Sequence, residues 1–250
     1  MADRVGEGPR HVPPGLAPRH GAERARSSRG VAVSKDVGVS VKPSSPETSA
    51  KARDSRARRG RAFDVVACAA SAGGLLALGE LISGLPPDFP ASLVVVQHLD
   101  PRHRSLMAEI LSRHTSLRVE QAHEGQRLEA GTVYVAPPNR HLLVTPDGAL
   151  ALSESELVHF VRPSADLLFE SVAARFRDRA IGVVLSGTGK DGSIGITAIK
   201  EMGGTVIAQD PSSADFPGMP EAAIATGKVD FILPLGEIAD ALVTLVMKSE

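Results

Sequence analysis

Continuous apolar runs that alternate with helical patterns constrain the fold of this chain more than any other feature. From Phe63 onward, strand-like runs at 64–70, 93–97 and 181–185 are separated by stretches in which leucine and isoleucine recur at helical spacing. Strands that are apolar throughout are typical of a parallel sheet that is covered on both faces. The pattern therefore predicts an α/β fold, doubly wound, with a mostly parallel sheet and helices on both faces.

A small hairpin interrupts this alternation. The strand-like piece 142–144 is followed by Asp147-Gly148, a dipeptide typical of tight hairpin turns. An amphipathic stretch over 163–178 comes next, and Ser164 is its predicted N-cap. We therefore expect a small antiparallel hairpin inserted into the α/β domain, with a helix after it.

The first 60 residues have a different composition from the rest. They carry 13 Lys and Arg against 6 Asp and Glu, a net charge of +7, with a single Leu and no Ile, Phe, Tyr or Trp. Such a segment buries too little apolar surface to offset the entropy of ordering it. We expect a disordered basic tail or linker over 1–60 and one folded domain over 61–250.

The arginines at 53–61 could contact an acidic partner. A solvated linker is the simpler interpretation of this cluster, and we expect no specific nucleic-acid partner.

Overall composition narrows the class of protein. The chain has 250 residues, of which 42% are hydrophobic, and this is enough for one sizeable α/β core. The single cysteine, Cys68, cannot form an internal disulfide and fits a reducing compartment. No apolar run approaches the roughly 18 residues that a membrane span needs, and the N-terminus has no signal-peptide core. We expect a cytoplasmic protein without membrane insertion.

Three chemically capable side chains follow three of the predicted strands. Ser71 follows the first run, His98 the second, and Asp191 lies in the loop after the third. The carboxyl ends of parallel strands meet at one edge of the sheet, where open α/β sheets place their active sites. A hydroxyl, an imidazole that accepts its proton and a carboxylate that orients the imidazole form a nucleophilic triad. The arrangement predicts a serine-type hydrolase.

Each of these residues also has a structural interpretation. The small residues around Ser71 would expose its hydroxyl near the start of a helix, where amide groups can hold an oxyanion. The same turn could serve helix packing alone, with Ser71 as an N-cap. His98 taken by itself is an ordinary histidine at a sheet edge. The other histidines lack the spacing of metal ligands, so we expect no metal site.

The segment from Gly187 to Gly192 admits three interpretations. It fits the dinucleotide fingerprint G-x-G-x-x-G, with Asp210 18 residues beyond Gly192 as the ribose ligand. Asp191 argues against this, since its charge would stand where a pyrophosphate binds. Alternatively, Asp191 caps the helix that follows it, or it is a catalytic acid that the N-terminus of that helix holds as a carboxylate.

Taken together, these segments resemble the catalytic domain of the chemotaxis protein-glutamate methylesterases of the CheB type. The resemblance extends from Phe63 to Val246, about three quarters of the chain. Several of the matching segments are loops, where identity is harder to explain by packing than it is in a core. They are 71–74 (SAGG), 95–98 (VVQH), 135–139 (VAPPN), 185–192 (LSGTGKDG), 208–210 (AQD) and 218–220 (GMP).

The resemblance implies a role for each triad residue. Ser71 would be the nucleophile, His98 the general base and then the general acid, and Asp191 the group that orients His98. The substrate would be the γ-methyl ester of glutamate on methyl-accepting receptors, with methanol released and no cofactor or metal required. Related enzymes also deamidate glutamine. A further set of residues would form the turn and the oxyanion site: Ala72, Gly73 and Thr188.

The substrate is a helical surface, so the resemblance also implies a docking face beside Ser71. Arg140 or Arg162 could meet the acidic side chains that flank a methylated glutamate. A solvated surface charge is the alternative for each arginine. The candidate docking residues are Asn139, Arg140, Arg162 and Met219.

Two departures from the family pattern qualify this comparison. Ala72 stands where a threonine is usual, and Ala69 where a glycine is usual, so the rate could fall without a change in mechanism. The usual receiver domain is not expected, because residues 1–60 are too short and too polar to form one. The protein would then be ungated, controlled by a separate partner, or part of a receptor-like system outside flagellar chemotaxis. A separate receiver protein and a methyltransferase are the candidate partners. The remaining alternatives are a non-catalytic docking module of a receptor-methylation system and a dinucleotide-dependent enzyme.

Overall fold

The computed structural model describes residues 63–98 and 105–247, so the predicted tail at 1–60 lies outside the described residues. The described strands are β1 (Val65–Ala70), β2 (Ser92–Gln97), β3 (Arg118–Gln121), β4 (Thr132–Val135), β5 (His141–Val144), β6 (Leu150–Ser153), β7 (Ala180–Val184), β8 (Thr205–Gln209) and β9 (Phe231–Leu233). The described helices are α1 (Gly74–Ser83), α2 (Met107–Leu111), α3 (Ala165–Phe176), α4 (Ser193–Glu201), α5 (Gly218–Ala225) and α6 (Leu235–Met247).

Seven of these strands form one parallel sheet in the order β3-β4-β2-β1-β7-β8-β9. Strands β5 and β6 form a separate antiparallel pair. Gly148 turns the chain between them with a φ of 86°, a left-handed conformation that glycine adopts without a steric penalty. The predicted α/β class and the predicted hairpin are both confirmed.

Strand β1 lies between two hydrophobic cores. Its alternate residues point to opposite faces of the sheet, and all six are fully buried. Val65, Ala67 and Ala69 pack into the core that includes α3 and α4. Val66, Cys68 and Ala70 pack into the core that includes α1 and α6. Helices therefore cover both faces, which is the doubly wound arrangement that the apolar strands predicted.

The strand order creates a topological switch beside β1. From β1 the chain moves to β2 on one side, while β7 pairs with β1 on the other side. Loops that leave the carboxyl ends of strands at such a point diverge and open a crevice. The loops that carry Ser71, His98 and Asp191 follow β1, β2 and β7, so all three leave the sheet at this crevice. No helix in residues 63–98 or 105–247 has the length and apolar character to cross a membrane.

Candidate active site

Ser71 lies in a tight turn between β1 and α1. Its N–H donates to the Ser186 carbonyl at 3.0 Å, and its own carbonyl accepts from Gly74 N at 2.9 Å. Gly73 occupies the N-cap position of α1 with a φ of 74°. A methyl group on Gly73 would lie 2.7 Å from Ser186 Oγ, so both conformation and space require glycine there. The turn holds a half-buried serine at a helix N-terminus.

Two buried polar side chains that the sequence analysis did not single out fix this turn. Ser186 Oγ donates to the Ala72 carbonyl at 2.9 Å. Gln97 Nε2 donates to the carbonyls of Ser71 at 2.6 Å and His98 at 3.1 Å. Both residues are polar positions at the ends of apolar runs, and this was the available signal. Gln97 therefore ties together the backbones of the serine and the histidine.

His98 is oriented by Asp191. Its Nε2 lies 2.8 Å from Asp191 Oδ2. The His98 N–H donates to the Ala70 carbonyl at 3.2 Å, so the histidine and Ser71 leave adjacent strand ends. Among the described residues no hydrogen bond joins the Ser71 hydroxyl to His98, and Nδ1 is the ring nitrogen that Asp191 leaves open. Catalytic hydrogen bonds are often loose before substrate binds.

The Asp191 carboxylate is only 4% exposed, and it accepts four hydrogen bonds from other groups of the protein. Burial alone would raise its pKa, but the hydrogen bonds outweigh burial and hold the pKa below the ordinary value. Asp191 is therefore a carboxylate at neutral pH. Its donors are His98 Nε2, Ala165 N at 2.6 Å, Ser164 Oγ at 2.9 Å and Asp166 N at 3.1 Å.

The helix that holds Asp191 is α3, which differs from the sequence-based prediction. Gly192 occupies the N-cap position of α4 with a φ of 97°, so Asp191 does not cap the helix that follows it. Its two oxygens accept instead from amides of the first turn of α3. Ser164 does occupy the predicted N-cap position of α3, but its side chain makes no capping bond. The Asp191 carboxylate therefore caps α3 in place of the Ser164 side chain, and the Ser164 hydroxyl donates to that carboxylate.

A glycine brings the β7–α4 loop against Ser71. A methyl group on Gly187 would lie 2.9 Å from Ser71 Cβ and 2.2 Å from Met219 Sδ. The next residue, Thr188, is exposed. Within the described residues, the N–H groups of Thr188 and Ala72 donate no hydrogen bond. Two unengaged amides near a serine are the kind of donors that an oxyanion requires.

The predicted docking residues are largely engaged within the protein. Arg140 forms an ion pair with Glu154. The Arg162 guanidinium donates to Asn139 Oδ1 at 2.8 Å and to two backbone carbonyls of the neighbouring loop at 2.7 Å. Met219 is 1% exposed and lies beneath the Gly187 turn. These contacts hold the loops together, and the burial of Met219 does not fit a docking surface.

The requirements of a dinucleotide site are not met by the same loops. Asp210 accepts from the Ser212 amide at 2.8 Å and from its hydroxyl at 2.7 Å, and these bonds lower the pKa of Asp210. It thereby caps the short 3₁₀ turn Pro211–Ser213. Asp191 is buried in the cap of α3. In the part of the chain that the structure describes, no group of three or more His, Cys, Asp or Glu could hold a metal ion.

Comparison with known proteins identifies relatives of this domain. The CheB methylesterase family model matches residues 66–242. A protein-glutamate methylesterase/protein-glutamine glutaminase of Burkholderia orbicola is 44% identical over 179 residues, which are 72% of this chain and 53% of that protein. A Leptospira interrogans protein that bears the same name provisionally is 38% identical over 183 residues, 73% of this chain and 95% of that protein.

The fold comparison agrees with the sequence comparison. The crystal structure of the Thermotoga maritima CheB methylesterase catalytic domain matches with a TM-score of 0.71 and 36% identity. The match covers 74% of this chain and 99% of that domain.

Proposed function

This chain belongs to the CheB methylesterase family, and on that premise we propose that it is a serine hydrolase that removes γ-methyl esters from glutamates of methyl-accepting receptor proteins. The observation that carries the proposal is the His98–Asp191 hydrogen bond beside the Ser71 turn. A dinucleotide enzyme and a docking module without turnover are not favoured by the relatives.

The proposed reaction has two steps. Asp191 accepts the Nε2–H of His98, which leaves the Nδ1 lone pair to take the Ser71 proton. The Ser71 oxygen attacks the ester carbonyl, and His98 returns the proton to the departing methoxide, which leaves as methanol. Water activated by His98 then hydrolyses the glutamyl-serine ester and regenerates Ser71. An ester is reactive enough that a general base and an oxyanion site suffice for its hydrolysis.

The negative charge of the tetrahedral intermediate needs donors, and the unengaged amides of Ala72 and Thr188 supply candidates. They belong to the turns after β1 and β7, and Gly187 brings the second turn against Ser71. The N-terminus of α1 adds its positive end to the same region. The usual threonine hydroxyl is absent at Ala72, so we expect this oxyanion site to act through backbone amides.

The names of the relatives also favour a second activity on the same site. Both relatives are named glutaminases as well as methylesterases. Attack of Ser71 on a glutamine side chain would give the same acyl-enzyme with ammonia as the leaving group. We infer that this chain deamidates receptor glutamines through the same residues.

The substrate regions of the receptors are cytoplasmic, so we place the protein in the cytoplasm. We infer that its partners include a receiver protein or a methyltransferase.

Methanol release from radiolabelled, methylated receptor cytoplasmic fragments tests the proposal. The parent should release methanol, and Ser71→Ala should reduce kcat by at least about 10³-fold while receptor binding is retained. Ser83→Ala is the matched control, because the Ser83 hydroxyl is exposed and only bonds the carbonyl of Glu80. Equal turnover by parent and Ser71→Ala would overturn the assignment of the nucleophile. Receptor binding without any release would indicate a docking module.

A further inference from the structure

A second buried carboxylate lies directly behind the first. Asp166 is 3% exposed and belongs to the first turn of α3. Its N–H donates to Asp191 Oδ1 at 3.1 Å, so the two acidic residues are in direct contact. Its own Oδ1 accepts from Ile194 N at 3.0 Å and Gly195 N at 2.8 Å, at the start of α4. No pattern in the sequence identifies this residue as part of the site.

The other oxygen of Asp166 faces a histidine. His159 Nε2 lies 3.4 Å from Asp166 Oδ2, and that oxygen is buried without a hydrogen bond. His159 and Phe160 have φ values of 50° and 66°, so the turn that presents His159 adopts a conformation that costs non-glycine residues energy. The turn is closed by hydrogen bonds between Val158 and Val161.

A charged residue at position 166 is costly for the fold. Burial raises the pKa of Asp166, hydrogen bonds from Gly195 and Ile194 lower it, and the negative charge of Asp191 raises it further; the net direction is upward. Asparagine or serine caps a helix N-terminus about as well as aspartate does. A neutral cap would thus hold α4 without placing a second negative charge against Asp191. Capping alone does not account for a carboxylate here.

We propose that Asp166 is a positioning residue that acts through Asp191, adding its negative charge to the field that stabilises His98 when the ring takes the Ser71 proton. The inference rests on the proposed function. Asp191 lies between Asp166 and His98 and is hydrogen-bonded to both. Among residues 63–98 and 105–247, the charged or titratable groups that face Asp166 are Asp191 from the β7–α4 loop and His159 from its turn, and His98 lies beyond Asp191. His159, which is 33% exposed, offsets part of the Asp166 charge when it is protonated.

Close packing keeps this arrangement rigid. A methyl group on Gly195 would lie 2.9 Å from the Asp166 Cα and 2.6 Å from the Phe169 Cβ. The first turns of α3 and α4 therefore touch at backbone distance. The Asp166 carboxylate, which α3 carries and which accepts from two amides of α4, cannot move away from Asp191 without separating the two helices, so its charge acts at a fixed position.

The test compares Asp166→Asn with the parent in the full chain. Asparagine keeps an oxygen that can accept from Ile194 and Gly195 and removes only the charge. We expect kcat for methyl-ester hydrolysis to fall about threefold with KM unchanged, and the acid limb of kcat/KM to move down by about 0.5 pH units, because both changes reflect the same loss of stabilisation of the His98 imidazolium. Glu170→Gln removes a charge from the exposed side of the same helix and should change neither quantity.

An NMR titration of the His98 ring gives a readout that needs no substrate. Histidine is labelled with ¹⁵N, and His98→Gln assigns the signal. The His98 titration midpoint should fall in Asp166→Asn and remain unchanged in Glu170→Gln. A parent-like His98 midpoint in Asp166→Asn would overturn the inference and leave Asp166 as a cap. If Asp166→Asn does not fold, Asp166→Ser provides the same comparison.

The two readouts separate the two proposals. If the parent releases no methanol but Asp166→Asn lowers the His98 midpoint, the proposed function fails and the charge coupling stands. If the parent is active and the midpoint does not move, the proposed function stands and the coupling fails.

Discussion

The Asp191 carboxylate caps the helix on which Asp166 lies, and the Asp166 carboxylate caps the helix that follows Asp191. Asp191 lies just before α4 but accepts from the amides of Ala165 and Asp166 at the start of α3. Asp166 lies in the first turn of α3 but accepts from amides at the start of α4. Each helix end is thus satisfied by a carboxylate from the other segment. This exchange fixes the position of the acid that orients His98.

Asp191→Asn should reduce kcat by about 10³- to 10⁴-fold, because an amide cannot accept from all the donors that surround this site and leaves the wrong His98 tautomer. Steady-state methanol release measures the loss, and Asp88→Asn at an exposed position is the control. A loss below about tenfold would show that His98 does not depend on Asp191 for its orientation.

The same substitution should change how stability depends on acid. The native pKa of Asp191 lies below the ordinary value, so its stabilisation is present above the unfolded pKa of about 3.9 and is lost as the pH falls through the native pKa. The Tm of the parent should therefore decrease more steeply in acid than the Tm of Asp191→Asn. Thermal unfolding followed by circular dichroism across this range measures both slopes. Parallel slopes would contradict the direction given for this pKa.

Ser164→Ala should weaken both stability and rate. The Ser164 hydroxyl is fully buried and donates to Asp191 Oδ1 at 2.9 Å. A hydrogen bond to a charged group contributes about 1.5–3 kcal/mol, so we expect the free energy of unfolding to fall by about that amount. We also expect kcat to fall several-fold, since Asp191 loses one of its four donors. Denaturant unfolding and methanol release measure the two effects, with exposed Ser83→Ala as control; an unchanged free energy of unfolding would contradict the first.

Gly187→Ala should impair the reaction by displacing the serine. The added methyl group would lie 2.2 Å from Met219 Sδ and 2.9 Å from Ser71 Cβ, so both must shift. Overpacking of this kind costs about 1–3 kcal/mol of stability. Adding Met219→Ala removes the contact with sulfur but leaves the contact with Ser71. Because Met219 is buried, Met219→Ala itself leaves a cavity that costs about 2–5 kcal/mol, so the double variant is compared with Met219→Ala alone. Gly187→Ala should lower the Tm less in the Met219→Ala background than in the parent, but it should still lower kcat. A double variant with the kcat of Met219→Ala would argue against displacement of Ser71.

The strand ends could be predicted from the sequence because they are set by local pattern. Apolar runs identify β1, β2 and β7, and parallel pairing then brings the residues that follow them to one edge. The supporting roles of Gln97, Ser164 and Asp166 could not be predicted in this way, because their hydrogen bonds depend on which loops and helix ends meet and not on the ends of parallel strands. The capping exchange depends on the contact between α3 and α4, and helix periodicity gives no information on which helices meet.

Asp166→Asn should stabilise the protein near neutral pH. The native pKa of Asp166 is raised, so its contribution to stability is complete below the unfolded pKa of about 3.9 and is lost as the pH rises through the raised native value. Asparagine keeps the cap and removes the repulsion with Asp191. The Tm of Asp166→Asn relative to the parent should increase as the pH is raised from about 4 and should level off once the pH is above the native pKa of Asp166. Glu170→Gln, measured alongside, should show no such trend.

A Tm difference that stays constant or falls over this range would mean that the charge of Asp166 does not destabilise the folded protein. Greater stability together with a lower kcat would instead indicate that the second carboxylate is kept for catalysis at the expense of stability.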